Sequence, residues 1–400
     1  AKDRIVAVRY GTRWLQEFQR HSLPLTKGKS LLKENNTYLI TGGLGNVGFI
    51  IARYLVQHYQ AKIIVTGRKK LPSAFGSIAP GEEEWIDRLR YLMTIGPGVA
   101  YYSTDVADLE RFNKTVAAIE KDHGPVHGII HAAGITDVSQ FELVEDITLQ
   151  KAFDIFSPKI GGIDNIYRVF KSRSPDFVWI TSSLASVLAG ISYASYSAAN
   201  LYLDHFVVAR SKELSNWKCI GLSEMLFTDE EVLAENEQQR TALKPAELCE
   251  LFEWSLTVKK HPVIMETVAD MSSRIYRTYI ARQQVYLDED AGSKAASAKA
   301  ARPNLTSNYA APETETEKIL VKILEDFFAI ENIGVQDSFF ELGGDSLKAM
   351  VVLKRIKKQF AINLAVKDFF MRPIISQIAA AIDELKFLLQ KKNRNSKKII

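Results

Sequence analysis

The chain has 400 residues, 46% of them hydrophobic and 24% charged, the balance of an ordinary folded protein of two or three domains. No run approaches the roughly 18 apolar residues of a membrane span, and the N-terminal stretch AKDRIVAVRYGTRW carries charges where a signal peptide needs an apolar core. The net charge of +4 gathers in residues 391–400, which hold five Lys/Arg and no acid, whereas residues 313–390 hold ten basic and twelve acidic residues; no folded part is basic enough to suggest nucleic-acid binding.

Residues 1–24 read as strand-rich, with RIVAV and RWLQEF flanking a Tyr-Gly turn. So short a piece cannot bury a core by itself, and residues 25–36 read as a connector, which sets 1–36 apart. From Thr37 the pattern changes. TYLIT, KIIVTG, VAYYSTDV, VHGIIHAAG, FVWITSS, WKCIGL and PVIMETVAD are strand candidates, with helical stretches such as FIIARYLVQHY and LERFNKTVAAIEKDHG between them. That alternation predicts an α/β fold, a doubly wound parallel sheet with helices on both faces, over residues 37–287. The strands are apolar throughout, as strands buried on both faces should be. Residues 288–312 are small, polar and charged, and read as an interdomain linker.

From Glu313 three stretches place apolar residues at three- and four-residue spacing: ETEKILVKILEDFFAI, SLKAMVVLKRIKKQF and IISQIAAAIDELKFLLQ. With a short helix near VKDFF they predict a small all-α four-helix domain over 313–390, followed by a basic tail at 391–400. Cys219 and Cys249 are too few for a disulfide framework and lack the neighbours of a zinc site. No metal is expected, and a reducing, cytoplasmic compartment is.

TGGLGNVG at 41–48 lies between a predicted strand and a predicted helix. Gly43-x-Gly45-x-x-Gly48 suits a tight turn that lets backbone approach a pyrophosphate at a helix N-terminus. The second strand ends Thr66-Gly67-Arg68 rather than in a carboxylate. An arginine there can pair with the 2′-phosphate of NADP, so NADPH is the expected cofactor, unless Arg68 is simply a solvated side chain. Asp105, at the end of the third strand, is placed to hydrogen-bond an adenine. Tyr196 and Asn200 stand four apart in a predicted helix, on one face and one turn apart. Ser183 ends a strand, at the carboxyl edge where such sheets meet their ligands.

TGGLGNVG, TGR, DVAD, HAAG, SPKIGG, SSLAS and YSAAN, in this order over roughly residues 37–290, resemble the ketoreductase domain of modular polyketide synthases, a branch of the short-chain dehydrogenase/reductase superfamily. The resemblance implies a Rossmann-like fold and a catalytic group of Lys159, Ser183, Tyr196 and Asn200, which fall on the family's motifs at intervals of 24, 13 and 4 residues. It implies a cofactor site built from Gly42, Gly43, Leu44, Gly45, Val47, Gly48, Arg68, Asp105, Val106, Ala132, Ala133 and Gly134. Two family signatures of product configuration are altered. The stretch after HAAG reads Thr136-Asp137-Val138, without the last aspartate of Leu-Asp-Asp, and Leu188 stands eight residues before the tyrosine where a Trp is often found. The usual NWGxW after the sixth strand is replaced by GLSEM at 221–225. Residues 1–24 resemble the end of the non-catalytic half that precedes such a domain, which implies a chain that starts inside a larger protein.

DSFFELGGDSL at 337–347 resembles the phosphopantetheine attachment motif of carrier domains, nearest to the peptidyl carriers of nonribosomal synthetases, with similar carriers in hybrid polyketide/nonribosomal modules. It implies 4′-phosphopantetheine on Ser346, exposed after a flexible Gly-Gly, added by a phosphopantetheinyl transferase. The expected function is NADPH-dependent, stereospecific reduction of a keto group on a carrier-bound acyl thioester to a hydroxyl, in an assembly line with neighbouring synthase domains. A β-ketoacyl chain is the first expectation; an α-ketoacyl group in a depsipeptide-forming synthetase is the alternative. A reductase fold kept only as an inactive scaffold is the rival of another class.

Overall fold

A computed structural model describes residues 6–21, 31–71, 83–135, 144–190, 192–227, 242–268, 270–275, 300–303, 305, 307–344, 346–365, 368–369 and 372–396. The chain divides into two units, the larger formed from residues 1–136 and 144–278 and the smaller built on residues 279–400.

The chain begins with an antiparallel hairpin, β1 (Val6–Arg9) and β2 (Thr12–Leu15), registered Val6 to Leu15. Its two-residue turn, Tyr10-Gly11, has φ of 51° and 76°, the left-handed pair that matches strand twist in a hairpin. Both strands are exposed along their whole length.

Seven parallel strands form the main sheet: β3 (Thr37–Thr41), β4 (Lys62–Gly67), β5 (Val99–Ser103), β6 (Gly128–His131), β7 (Phe177–Ser183), β8 (Trp217–Leu222) and β9 (Val263–Met265). Their order is β5-β4-β3-β6-β7-β8-β9, so the winding reverses between β3 and β6, where an open α/β sheet leaves a crevice. Residue alternation feeds two cores. Tyr38, Ile40, Ile63, Val65, Ile130, Trp179 and Ile220 point to one face and pack under α1 (Asn46–Tyr59), α2 (Glu83–Ile95) and, later in the chain, Pro245–Thr257. Leu39, Ile64, Ile129, Val178, Ile180 and Cys219 point to the other, under α3 (Leu109–His123), α5 (Gly162–Phe170) and α7 (Ala194–Ala209). A strand apolar on both faces belongs in the middle of three layers, as its composition required. Helix α4 (Leu149–Phe156) runs into α5 through one π-helical turn, Ser157–Gly161; α6 (Ala185–Leu188) precedes α7, and Pro245–Thr257 is α8.

The smaller unit is helical. α9 (Glu315–Phe328) opens on a capping box in which Thr314 Oγ1 accepts from Glu317 N–H and Glu317 Oε2 accepts from Thr314 N–H. α10 (Ser346–Phe360) and α11 (Ile375–Ser396) complete it among the described residues. Leu320, Leu324, Val352, Ile356, Ile378 and Ile382 meet around Phe339 and Phe369, whose ring centroids lie 4.9 Å apart, edge to face. The expected short helix near VKDFF falls mostly outside the described residues.

Two expected boundaries shift. The described residues within 300–312 pack with the helical unit. β10 (Ala300–Ala301) pairs in parallel with β11 (Ile330–Glu331), and Leu305 and Ala310 pack on the helical core. Arg302 grips the fully buried Asp337 with two hydrogen bonds of 2.9 and 2.6 Å. Composition hid this because one arginine and two apolar residues anchor a stretch otherwise written in linker residues. The remaining linker residues, 288–299, lie outside the described part. The expected tail is helical as far as Ser396, since α11 continues through Lys391–Ser396. Among the described residues no helix is long and apolar enough to cross a membrane.

Candidate active site

The glycine loop is shaped by close approach. Gly42 has φ 70°, and a Cβ there would lie 2.7 Å from Ala133 Cα and 2.8 Å from Ala132 O. Thus the turn after β3 packs directly on the Ala132-Ala133 backbone after β6, across the crevice. A Cβ on Gly48 would fall 2.5 Å from Gly42 O, so the first turn of α1 can sit on the loop only without a side chain. Gly45 caps α1 with no side-chain hydrogen bond, so no cap side chain occupies the first N–H groups of the helix. A glycine-rich turn leading into uncapped helix donors fits a dinucleotide pyrophosphate.

Arg68 follows β4 in an exposed position and makes no ion pair among the described residues, which leaves its guanidinium open to an anion. Asp105 Oδ1 accepts from Ala107 N–H at 2.9 Å, closing the turn into α3, so one of its oxygens already serves a structural role. Val106 is buried. Leu44 and Val47 are half-buried and pack on the core under α1. Sequence reasoning passed over Arg88 of α2. Its guanidinium donates to Leu44 O at 2.9 Å and to Asn46 Oδ1 at 2.8 Å, and lies 5.3 Å from the Phe49 ring centroid. No motif spacing could have found it, because more than forty residues separate it from the loop it holds.

The four expected catalytic side chains come from three parts of the larger unit. Ser183 ends β7, half-buried, and its Oγ accepts from Ala185 N–H at 3.1 Å. Tyr196 and Asn200 lie one turn apart on α7, and Asn200 Nδ2 donates back to Tyr196 O at 2.8 Å. Lys159 sits in the π-helical turn, a rare element often found at functional sites, and is only 4% exposed. Its ammonium donates to Thr181 O on β7 at 3.0 Å and lies 5.9 Å from the Tyr196 ring centroid. Gly134 makes room for it, since a Cβ there would lie 2.9 Å from Lys159 Cε. Burial pulls the ammonium down to about 8. Burial likewise pushes the Tyr196 phenol up, opposed by hydrogen bonding from Ser183 and Asn200.

The positions tied to configuration and lid are partly visible. Leu188 is buried in a small apolar cluster with Leu184, Val187 and Met271. Within GLSEM, Ser223 donates from its backbone to Glu266 Oε2 at 3.0 Å, and Met225 pairs with Leu243. Thr136-Asp137-Val138 lies outside the described residues.

In the smaller unit Ser346 is the first residue of α10; its side chain lies outside the described part. The preceding Gly343-Gly344 is glycine for local reasons of angle and packing. Gly343 has φ 90°, and a Cβ on Gly344 would fall 2.3 Å from the Phe339 ring, so glycine is required there by backbone angle and by packing.

The chain is similar to known proteins over both of its units. Residues 36–225 match the KR domain family and residues 318–382 match the phosphopantetheine attachment site family. A phenolphthiocerol/phthiocerol polyketide synthase of Mycobacterium tuberculosis is 27% identical over 362 residues, covering 86% of this chain and 18% of the relative. This chain therefore spans under a fifth of that relative's length. Among solved structures, a ketoreductase domain from the bacillaene assembly line is similar at a TM-score of 0.56 and 20% identity, covering 68% of this chain and 64% of that one. An adenylation, ketoreductase and pseudo Asub multidomain structure of a keto acid-selecting NRPS module is similar at 0.58 and 20%, covering 72% and 26%. The chain thus carries a KR domain of the Rossmann-like short-chain dehydrogenase/reductase fold followed by a phosphopantetheine attachment domain, and its relatives are polyketide synthases.

Proposed function

We propose that the chain reduces the keto group of an acyl thioester carried on its own attachment domain to a hydroxyl, stereospecifically and with NADPH. The observation that carries this reading is the meeting of Ser183, Tyr196, Lys159 and Asn200 at the carboxyl edge of the sheet, beside a glycine cradle. Gly42, Gly43, Gly45 and Gly48, with Ala132, Ala133 and Gly134 across the crevice, would hold the dinucleotide, and Arg68 its 2′-phosphate. NADPH, when bound, supplies the hydride.

The chain's own residues handle the oxygen. The Ser183 hydroxyl donates a hydrogen bond to the substrate carbonyl and fixes its position. Tyr196 gives its phenolic proton to the oxygen as negative charge develops there. An ordinary phenol near pKa 10 is a reluctant donor at neutral pH, and the Lys159 ammonium eases the loss by stabilising the phenolate. Asn200 holds the Tyr196 turn of α7 through its bond to the Tyr196 carbonyl. A phosphopantetheinyl transferase places the arm on Ser346, and neighbouring synthase domains supply and receive the acyl chain.

The test loads the arm-bearing protein with a β-ketoacyl and, separately, an α-ketoacyl group, adds NADPH, and follows the carrier by mass spectrometry. A gain of two hydrogens on the β-ketoacyl form is the expected result. A gain on the α-ketoacyl form alone would move the assignment to depsipeptide chemistry. No NADPH oxidation with either would make the unit a scaffold.

A further inference from the structure

The glycine loop between β3 and α1 is held from outside by a side chain of another element. Gly42, Gly43 and Gly45 bring no side chains with which to hold the turn, and glycine backbone is the most costly to order. Within the loop, Gly45 N–H donates to Gly42 O at 3.0 Å and closes the turn. From α2, Arg88 Nη1 donates to Leu44 O at 2.9 Å and Nη2 donates to Asn46 Oδ1 at 2.8 Å. The peptide joining Leu44 to Gly45 is thereby fixed at both ends, its N–H by Gly42 and its carbonyl by Arg88.

The guanidinium is itself held in place. It lies 5.3 Å from the centroid of the Phe49 ring of α1, and that ring lies 6.0 Å from the Tyr91 ring of α2. Nη2 also donates to Glu84 Oε1 at 2.6 Å, one turn back along α2. The Arg88 side chain is 19% exposed and that of Glu84 is 79% exposed. An ion pair with so exposed a carboxylate contributes little, so the contacts that fix Arg88 are those to the loop and the ring. A planar fork of donors sets direction as well as distance, which the point charge of a lysine cannot do. Both loop acceptors are protein oxygens. Arg88 therefore differs from Arg68, which makes no ion pair among the described residues and stands open to an anion.

We infer that Arg88 is a positioning residue of the cofactor site, fixing Leu44-Gly45-Asn46 in the shape that meets a dinucleotide pyrophosphate and making no contact with the 2′-phosphate. The inference rests on the reading that the glycine loop binds NADPH. Without Arg88 the loop must be ordered at the moment of binding, and that cost weakens the complex. The pyrophosphate is common to NADPH and NADH, so the loss must fall equally on both.

The test is Arg88→Ala in the full chain. NADPH and NADH affinities are read by fluorescence titration, thermal unfolding is measured without cofactor, and turnover is followed with an acetoacetyl thioester of N-acetylcysteamine. Both affinities should weaken by roughly tenfold, with their ratio and the kcat at saturating NADPH little changed. A loss confined to NADPH would make Arg88 a reader of the 2′-phosphate and overturns the inference, as does unchanged affinity for both. Should the alanine protein fail to fold, Arg88→Lys decides. It keeps the charge without the fork and should still weaken both cofactors several-fold; full affinity would mean that charge alone matters and overturns the inference. Asn46→Ala removes one of the two loop contacts and should weaken both cofactors a few-fold. Combined with Arg88→Ala it should add nothing, because the two act through one contact, and full additivity overturns the inference. A wild-type protein that binds neither cofactor sinks the NADPH reading and this inference together. Normal binding by wild type beside an unaffected Arg88→Ala sinks only the inference.

Discussion

A buried phenol and a buried amine each resist taking up charge. In the proposed reduction Lys159 and Tyr196 act as a pair: the ammonium is held by Thr181 O and lies 5.9 Å from the Tyr196 ring centroid. Removing the proton donor alone should spare the cofactor site, because the glycine loop makes no use of Tyr196. Tyr196→Phe is therefore expected to lower kcat by at least about a hundredfold, with NADPH affinity, read by fluorescence titration, within twofold of wild type. The two cofactors should be told apart at Arg68. Loss of a charge-assisted pair costs about 1.5–3 kcal/mol, so Arg68→Ala should lower kcat/KM for NADPH by ten- to a hundredfold and leave that for NADH nearly unchanged. Equal sensitivity of the two cofactors would show that Arg68 is only a solvated side chain.

Elements here are joined by single polar contacts set in apolar surroundings. In the sheet, Trp179 Nε1 donates to Ser255 Oγ at 2.9 Å, fastening α8 to β7 inside the core. In the helical unit the fastening is Asp337. Arg302, Ser307 and the Gly334 N–H all donate to its carboxylate, and its carbonyl accepts from Ile375 N–H. Burial alone would raise this carboxyl; the Arg302, Gly334 and Ser307 bonds outweigh that and hold it below the ordinary range. Removing Arg302 takes the opposite charge from the buried Asp337 carboxylate. Arg302→Ala should thus destabilise the helical unit at pH 7, measured by urea unfolding. A depressed carboxylate contributes stability above its unfolded pKa, near 4, and loses it as pH falls through the folded value. The gap between wild type and Arg302→Ala should accordingly close below about pH 4.

At the scale of the whole chain, a reductase unit and an attachment unit share one polypeptide, and that linkage sets the expected kinetics. Ser346 should accept the phosphopantetheine arm from a transferase and coenzyme A, seen by intact-protein mass spectrometry, and Ser346→Ala should not. A tethered acyl group meets its site at an effective concentration of roughly a millimolar, so the crevice has no need to bind the acyl chain tightly. Reduction of the carrier-bound group should outpace reduction of the same group on a free small thiol at micromolar concentration. Deleting most of residues 288–299, while keeping Ala300 onward because Arg302 and Ala310 serve the helical unit, should remove that advantage and leave reduction of free thioesters intact.

Periodicity alone determined the two kinds of unit. Strands such as FVWITSS, which opens on four successive apolar residues, have no stable place but the middle of a three-layer sheet, and ETEKILVKILEDFF carries its buried stripe in the local order of residues. The glycine loop and the Tyr196–Asn200 turn were legible for the same reason: their geometry is set within a few residues. What only the tertiary structure decided involves residues far apart in the chain. Arg88 reaches the glycine loop, Arg302 reaches Asp337, and the π-helical turn carries Lys159 under β7 to Tyr196. The fold buries Asp204 of α7 beside the Cys219 thiol of β8. Local order fixes which face a side chain takes; the other elements packed on that face decide whether its charge lies in water or in the core, and so what chemistry it can support.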